Sequence, residues 1–279
     1  MFLHYSIDSL LSPNSNLPQS RDAVSDDEEP VIKKQKLEHG LSDDCPIFPE
    51  LQHYCKLVAG ASLTAARTLR QCDADVVINW TGGRHHAKRD QASGFCYVQD
   101  VALAILELRK LVPARKAEAS RINRVMYIDL DLHHGDGVEQ AFYDSAQVLT
   151  LSMHLHAPGF FPATGKLTSF GPRETKSAHH ALNIALETGL SDTHFERIFE
   201  TCIEPTFKAY NPDAIVLQCG ADGLAEDPYK EWNISLSAYG RVVERILAWE
   251  KKTLMLGGGG YKNENVARCW AYLTSIAVR

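Results

Sequence analysis

The sequence lacks the features that would place the protein in a membrane or outside the cell. No apolar run approaches the ~18 residues that a membrane span needs. The N-terminus, MFLHYSIDSLL, has no basic region followed by an apolar core, so we predict no secretory signal. The seven cysteines form no CxxC pair, which is typical of reduced intracellular thiols. A basic excess is also missing, because the net charge is −6, and this argues against a general nucleic-acid-binding surface.

The overall composition indicates a folded protein, with one N-terminal segment of different composition. Apolar residues make up 44% of the 279 residues and charged residues 23%, as in an average globular chain. Residues 1–43 differ, being rich in Ser, Pro, Asn and acid, and we expect them to be irregular or disordered. The basic cluster Lys33, Lys34 and Lys36 is a candidate nuclear-import signal, although such clusters are more often plain solvated charge. We predict one domain over residues 44–279.

Helical and strand patterns alternate along residues 51–277. The predicted helices are 51–71, 100–109, 193–209, 237–250 and 264–277, and the predicted strands are 76–80, 124–132, 148–153, 214–218 and 253–256. The strands are continuous apolar runs, which indicates that both faces of the sheet are covered. We therefore predict the α/β class, with a single domain and a mostly parallel central sheet flanked by helices.

Four of these strands run into unusual polar sequence. VVINW is followed by TGGRHHAKRD, VMYIDLDL by HHGDG, AIVLQ by CGADG, and TLML by GGGGY. Because ligands of open parallel sheets bind beyond the carboxyl ends of the strands, we expect the four endings to meet in one site.

The DLDLHH sequence predicts a metal site. Side chains alternate along an extended strand, so Asp131 and His133 point to one side and could bind one divalent cation. Asp222, which follows a neighbouring strand, is the best candidate for a third ligand. Two carboxylates and one imidazole with an open position are typical of a catalytic site. The competing interpretation is that these aspartates only cap the helices that follow.

The paired histidines predict acid–base chemistry. A catalytic imidazole needs a carboxylate to fix its tautomer, and Asp129 and Asp136 are left over to pair with His85 and His86, one to each. The glycines of GGGGY allow close approach to a ligand, and Tyr261 beside a metal could stabilise an oxyanion.

These motifs, together with SGFCY, APGFFPATG and DGLAEDPYKEW, resemble the motif series of the zinc-dependent, class I type histone deacetylases. The resemblance runs from about residue 44 to the C-terminus and is nearest to the fungal Hos-type branch. It implies the arginase/deacetylase fold and hydrolysis of Nε-acetyl-lysine to lysine and acetate.

The same resemblance implies a role for each site residue. His86 with Asp136 would act as general base and then acid, His85 with Asp129 as electrostatic partner, and Tyr261 as the donor to the acetyl carbonyl. The implied channel and rim residues are Gly94, Phe95, Phe161 and Asp44. Zinc would bind Asp131, His133 and Asp222, with Fe²⁺ as an alternative. A structural K⁺ would lie near Asp129, Asp131, His133 and Ser152.

The family pattern also sets expectations for domain, partners and location. The first strand and part of the C-terminal region of the family are not found, so we expect a catalytic domain over 44–279 that is truncated at both ends. Acetylated histone tails or other acetyl-lysine proteins are the expected substrates, and co-repressor subunits the expected partners. We expect a nuclear protein, with the cytoplasm as an alternative additional location, and without sequence-specific nucleic-acid binding or membrane contact. The alternatives are an amidohydrolase for acetylpolyamines or other small amides, and an inactive co-repressor scaffold.

Overall fold

A computed structural model describes residues 30–111 and 121–279 of the chain. The helices are α1 (Pro30–Glu38), α2 (Leu51–Arg70), α3 (Asp100–Leu108), α4 (Asp136–Phe142), α5 (Asp192–Ile198), α6 (Glu204–Tyr210), α7 (Leu236–Leu247) and α8 (Asn263–Ala277), with a π-helical turn (Phe199–Ile203) between α5 and α6. The strands are β1 (Val76–Asn79), β2 (Val125–Asp129), β3 (Val148–Leu155), β4 (Ala181–Leu186), β5 (Ala214–Gln218) and β6 (Lys252–Leu256).

The six strands form one sheet in the order β1-β6-β5-β2-β3-β4. All five pairings are parallel. The predicted α/β class with a parallel central sheet is therefore confirmed. The register aligns the carboxyl ends, since Gln218 lies opposite both Asp129 and Leu256, and Leu256 lies opposite Asn79. The segments that follow these four strands consequently leave the sheet at the same edge.

Strand β2 shows how the sheet divides the core into two layers. Met126 and Ile128 pack into a cluster with α5, α7 and α8, while Val125 and Tyr127 pack on the other face with α2, α3 and α4. Both layers are covered, and this explains why β2 and β5 carry apolar residues on both faces up to their last positions, Asp129 and Gln218. Each fully buried aliphatic side chain contributes about 1.5–3 kcal/mol to this core.

Helix α1 differs from the expectation of an irregular segment over residues 1–43. Residues 1–29 of that segment lie outside the described residues, but Pro30–Glu38 is helical. The helix ends at Glu38 and is followed by a turn in which Gly40 has a φ of 65°, and the Leu41 amide donates back to the Lys36 carbonyl at 2.8 Å. Leu41 is buried in a small cluster with Leu51 and Tyr97. The glycine cap and this apolar anchor hold a charged helix that composition alone does not predict.

Three further elements depart from the predictions. Strand β2 ends at Asp129 instead of residue 132, strand β4 was not predicted, and the helix predicted over 193–209 is interrupted by the π-helical turn. Pro205 lies at the start of α6 and lacks the amide that a continuous α-helix needs, which explains the interruption. Within the described residues, no helix combines the length and the apolar character required to cross a bilayer.

Candidate metal centre and active site

Three side chains converge beyond the ends of β2 and β5. Asp131 and His133 follow β2, and Asp222 follows β5, the neighbouring strand. One donor atom from each lies within 4.8 Å of the other two, and all three residues are buried. The structure thus brings together the three residues that the sequence singled out for a divalent cation.

The donor set fits a cation. His133 Nδ1 lies 2.9 Å from Asp222 Oδ2 and 3.3 Å from Asp131 Oδ1. Burial and the adjacent Asp131 raise the pKa of Asp222 to about 7. Two buried carboxylates this close repel one another unless a positive charge lies between them, and carboxylate oxygens with one imidazole are ligands that zinc accepts.

Backbone and amide donors hold these carboxylates in place. Asp131 Oδ2 accepts from the Gln218 side-chain amide and from the Gly259 backbone amide, each at 2.8 Å. Asp222 Oδ1 accepts from the Leu132 amide at 2.9 Å. The glycine run after β6 allows this approach, because a Cβ at Gly259 would meet Asp222 and Asp131. Gln218 is a positioning residue that the sequence did not reveal.

The two histidines that follow β1 are each bonded to a different carboxylate. His85 Nδ1 lies 2.8 Å from Asp129 Oδ2, and His86 Nδ1 lies 2.8 Å from Asp136 Oδ1. The sequence left open which carboxylate pairs with which histidine, whereas the resemblance implied this arrangement. With Nδ1 engaged, the Nε2 atom of each ring is the nitrogen left for chemistry.

The two imidazoles differ in their electrostatic surroundings. Burial would lower the pKa of His85, but the charges of Asp129 and Asp131 outweigh it and raise that pKa to about 9. Burial and the neighbouring His85 lower the pKa of His86 to about 4. His86 is therefore the neutral imidazole of the pair at pH 7, as a general base must be.

Tyr127 also binds the Asp129 carboxylate. Its hydroxyl donates to Asp129 Oδ2 at 2.6 Å, and its side chain is fully buried. The sequence did not single out Tyr127, because a tyrosine within an apolar strand is typical of core packing. The available signal was the spacing of two residues, which places Tyr127 on the same side of β2 as Asp129.

Aromatic side chains surround the opening in front of the metal residues. Phe95, Phe161 and Tyr261 are unusually exposed for large apolar side chains, at 52%, 40% and 40%. The Phe161 ring meets His86 edge-on at 4.9 Å between centroids, and the Phe95 ring meets Tyr261 at 6.2 Å. The structure thus gathers the predicted channel residues around the histidines.

Tyr229 joins this group and was not predicted. Its ring centroid lies 4.9 Å from His133 and 5.0 Å from Tyr261. The buried Asp227 carboxylate accepts from the backbone amides of Tyr229 at 3.0 Å and Tyr261 at 2.9 Å, and so links the two tyrosines. The DPY sequence gave no chemical signal, because an exposed loop tyrosine is usually without a function.

Asp44 contacts the channel from the rim. Its Oδ2 accepts from the Gly94 backbone amide at 2.7 Å, so it holds the turn that presents Phe95. Phe95 itself has a φ of 63° and Gly94 one of 55°. Contact of Asp44 with a substrate backbone stays a prediction.

Comparison with known proteins agrees with this geometry. The family model described as "Histone deacetylase domain" matches residues 15–277. Among curated proteins, "Histone deacetylase 8" of Xenopus laevis is 43% identical over 88% of this chain and 71% of its own length. "Histone deacetylase 9" of Arabidopsis thaliana is 43% identical over 91% of this chain and 57% of its own length. "Probable histone deacetylase 1-A" of Xenopus laevis is 43% identical over 88% of this chain and 48% of its own length.

The chain therefore spans about half to 71% of the length of these relatives. The match covers all four strand endings that build the metal centre, from the histidine pair after β1 to the glycine run after β6. A match of this extent, on a sheet that gathers those endings at one edge, makes this chain a member of the histone deacetylase family.

Proposed function

We propose that this chain hydrolyses Nε-acetyl-lysine in proteins, histone tails in particular, to lysine and acetate. One observation carries the proposal: the triad Asp131, His133 and Asp222 lies beside an imidazole whose Nδ1 is bonded to Asp136. A zinc ion held by that triad would supply a Lewis acid for the amide carbonyl and lower the pKa of water toward about 7.

His86 moves the proton in this reaction. Since Asp136 accepts a hydrogen bond from the Nδ1–H group, the lone pair lies on Nε2 and can take a proton from the attacking water. The oxygen of that water adds to the carbonyl carbon, the carbon–nitrogen bond breaks, and His86 returns the proton to the departing lysine nitrogen. Asp136 is charged as this requires: burial would raise its pKa, but the hydrogen bond from His86 and the nearby Lys88 ammonium lower it.

Tyr261 donates a hydrogen bond to the carbonyl oxygen as negative charge develops there. Burial and the charges of Asp131 and Asp222 raise the pKa of Tyr261 far above its usual value, so the hydroxyl keeps its proton. The walls formed by Phe95 and Phe161 suit an acetylated lysine, because acetylation removes the charge that an apolar passage would reject.

The finer assignments belong to the same proposal. Zinc is the proposed catalytic ion, with Fe²⁺ as an alternative for this donor set. A structural K⁺ near Asp129 and Ser152 is supported by their direct pairing across β2 and β3. Nuclear location and co-repressor partners follow from the histone substrate class that the relatives' names give.

The test is release of lysine from an acetylated histone-tail peptide by the zinc-loaded chain, beside Tyr261→Phe. We expect chelator-sensitive turnover and a loss of about 10²–10³ in kcat for the variant. Tyr272→Phe, which removes a hydroxyl from helix α8, is the matched control. Turnover of acetylpolyamines but not of peptides would favour a small-amide hydrolase. A folded, zinc-loaded chain without any turnover would favour a scaffold.

A further inference from the structure

A partly buried polar cluster lies next to the metal centre without belonging to it. The Glu139 cluster consists of Glu139, His134, His154, Thr164, Ser169 and Asn183. Glu139 Oε2 accepts from the Asn183 amide at 2.6 Å and lies 3.2 Å from His134 Nε2, while Oε1 accepts from the Ser169 hydroxyl at 3.1 Å. One carboxylate thus binds three side chains from three different parts of the chain.

The cluster continues through the two histidines to the loop between β3 and β4. His134 Nδ1 lies 2.8 Å from the Thr164 hydroxyl, and His154 Nε2 lies 2.9 Å from the Gly165 carbonyl. The two imidazole rings pack together with 4.5 Å between centroids. Gly165 has a φ of 77°, and a Cβ at this position would collide with His154. The loop is therefore pressed closely against the cluster.

This loop carries the aromatic residues that face the metal centre. Phe160 stacks on His133 with 5.0 Å between centroids, and Phe161 meets His86 edge-on. Between residues 157 and 169 of the described chain, the backbone hydrogen bonds of the loop are short turns within itself, such as Phe160 to Ala157. Bonds from the loop to the body of the protein come instead from members of the cluster, including Asn183 to the Ser169 carbonyl at 3.0 Å.

We infer that Glu139 is a positioning residue for the substrate channel: through His134, Ser169 and Asn183 it fixes the loop that sets Phe160 and Phe161 against the metal-centre histidines. The inference rests on the proposed function, because it names the residue that shapes the channel for acetyl-lysine. The base, the metal ligands and Tyr261 lie on other segments of the chain. Loosening the loop should consequently weaken substrate binding more than it slows the chemical step.

The experiment compares Glu139→Leu with Glu139→Gln on an acetyl-lysine peptide. We expect Glu139→Leu to raise KM about tenfold with a much smaller change in kcat, because a displaced wall costs binding. Glu139→Gln should recover most of the affinity, since its carbonyl oxygen still accepts from His134 and Asn183, and the Ser169 hydroxyl can rotate to accept from its amide.

The matched control is Glu107→Leu. The Glu107 side chain is also largely buried, at 3% exposed against 13% for Glu139, but its partners are Arg67, Arg70 and Lys110, none of which lies on the loop. A general loss of stability would affect both leucine variants, whereas the inference predicts a raised KM only for Glu139→Leu. An unchanged KM in a folded Glu139→Leu protein, or an equal rise in Glu107→Leu, would overturn it.

Two further measurements separate the possible failures. Thr164→Val removes the loop hydroxyl that is bonded to His134. Because Thr164 is exposed, this variant still tests the positioning of the loop if Glu139→Leu does not fold, and we expect a KM increase of about threefold.

Hydrogen exchange reports on the loop without any turnover: amides 160–169 should exchange faster in Glu139→Leu than in Glu107→Leu. Equal exchange would reject the positioning role, while an inactive wild-type chain would reject the proposed function and, with it, the channel role.

Discussion

The imidazole rings of His85 and His86 lie side by side, with 3.9 Å between centroids at an interplanar angle of 49°. Adjacent residues of the same type nevertheless have different partners. The carboxylate that binds His85 also accepts from the Tyr127 hydroxyl, whereas the carboxylate that binds His86 lies 3.2 Å from the Lys88 ammonium. Burial lowers the pKa of both imidazoles, but Asp129 and Asp131 raise that of His85 to about 9, whereas the charge of His85 adds to burial and lowers that of His86 to about 4.

The Asp136 carboxylate should be required for turnover but not for metal binding. In Asp136→Asn the His86 ring loses the acceptor that fixes its tautomer, and we expect kcat to fall by about 10²–10⁴. Steady-state kinetics with zinc content measured in the same samples is the check. Asp144→Asn, which neutralises an exposed aspartate just after the helix that begins at Asp136, should behave as wild type. A kcat close to wild type in Asp136→Asn would remove His86 from the role of base.

The Tyr127 hydroxyl should contribute more to stability than an equivalent hydroxyl bonded to a neutral group. Tyr127 donates to a carboxylate, whereas the fully buried Tyr239 donates to the Gly220 carbonyl at 2.9 Å. We expect Tyr127→Phe to lower the free energy of unfolding by about 2 kcal/mol and Tyr239→Phe by about 1 kcal/mol. Urea unfolding of the two variants measures the difference. Equal losses would mean that the charge of Asp129 adds nothing to the bond.

Zinc should stabilise the folded chain through the predicted ligands. A hundredfold excess over Kd adds about 2.7 kcal/mol to the free energy of unfolding, and Tm rises accordingly. Asp222→Asn should abolish the zinc-dependent rise in Tm. The matched control is Asp213→Asn, which changes an exposed aspartate at the opposite end of β5 and should keep that rise. A zinc response that survives in Asp222→Asn would place the ion elsewhere, and repeating the titration with Fe²⁺ tests the alternative metal.

Glu107 should make stability depend on pH in the acidic range. Burial would raise its pKa, but the hydrogen bond from Lys110 and the guanidinium groups of Arg70 and Arg67 outweigh it and lower that pKa below the usual 4.5. Because its pKa is lower in the folded state, ionised Glu107 contributes to the free energy of unfolding. This contribution is complete above pH 4.5 and is lost as the pH falls through the pKa of the folded state. The difference in unfolding free energy between wild type and Glu107→Gln should therefore shrink below pH 4.5. A constant difference down to pH 3 would contradict the lowered pKa.

The fold was predictable where the signal was continuous. Strands β2 and β5 are buried on both faces and are apolar up to their last residues, Asp129 and Gln218, which separates them from helices in the sequence. Strand β4 lies at the edge of the sheet and is buried only in part, so its sequence carries no such run. The predicted strand extended three residues beyond the observed carboxyl end of β2, because the alternating apolar pattern continues through Leu132 after the ladder has ended.

The site was predictable where chemistry limits the choice of residue. Few roles other than metal binding explain Asp131 and His133 beside a buried strand, so their spacing was enough to predict a metal site. The sequence did not predict which carboxylate pairs with His85 and which with His86, because that pairing depends on how the loop after β1 lies against the end of β2. Gln218 and Tyr229 act through contacts that only the folded chain creates, and neither residue type is informative by itself.

The position of β6 has a consequence for the order in which the protein is assembled. It is the last strand along the chain, yet it lies between β1 and β5. A growing chain that has reached residue 251 already contains β5, β2, β3 and β4, which lie next to one another in that order in the sheet. It also contains Asp131, His133 and Asp222. Strand β1 has no partner among the described strands until β6 inserts beside it. Tyr261, which follows β6, and the place of β1 in the sheet consequently depend on residues 252–256, which are synthesised after all three metal residues.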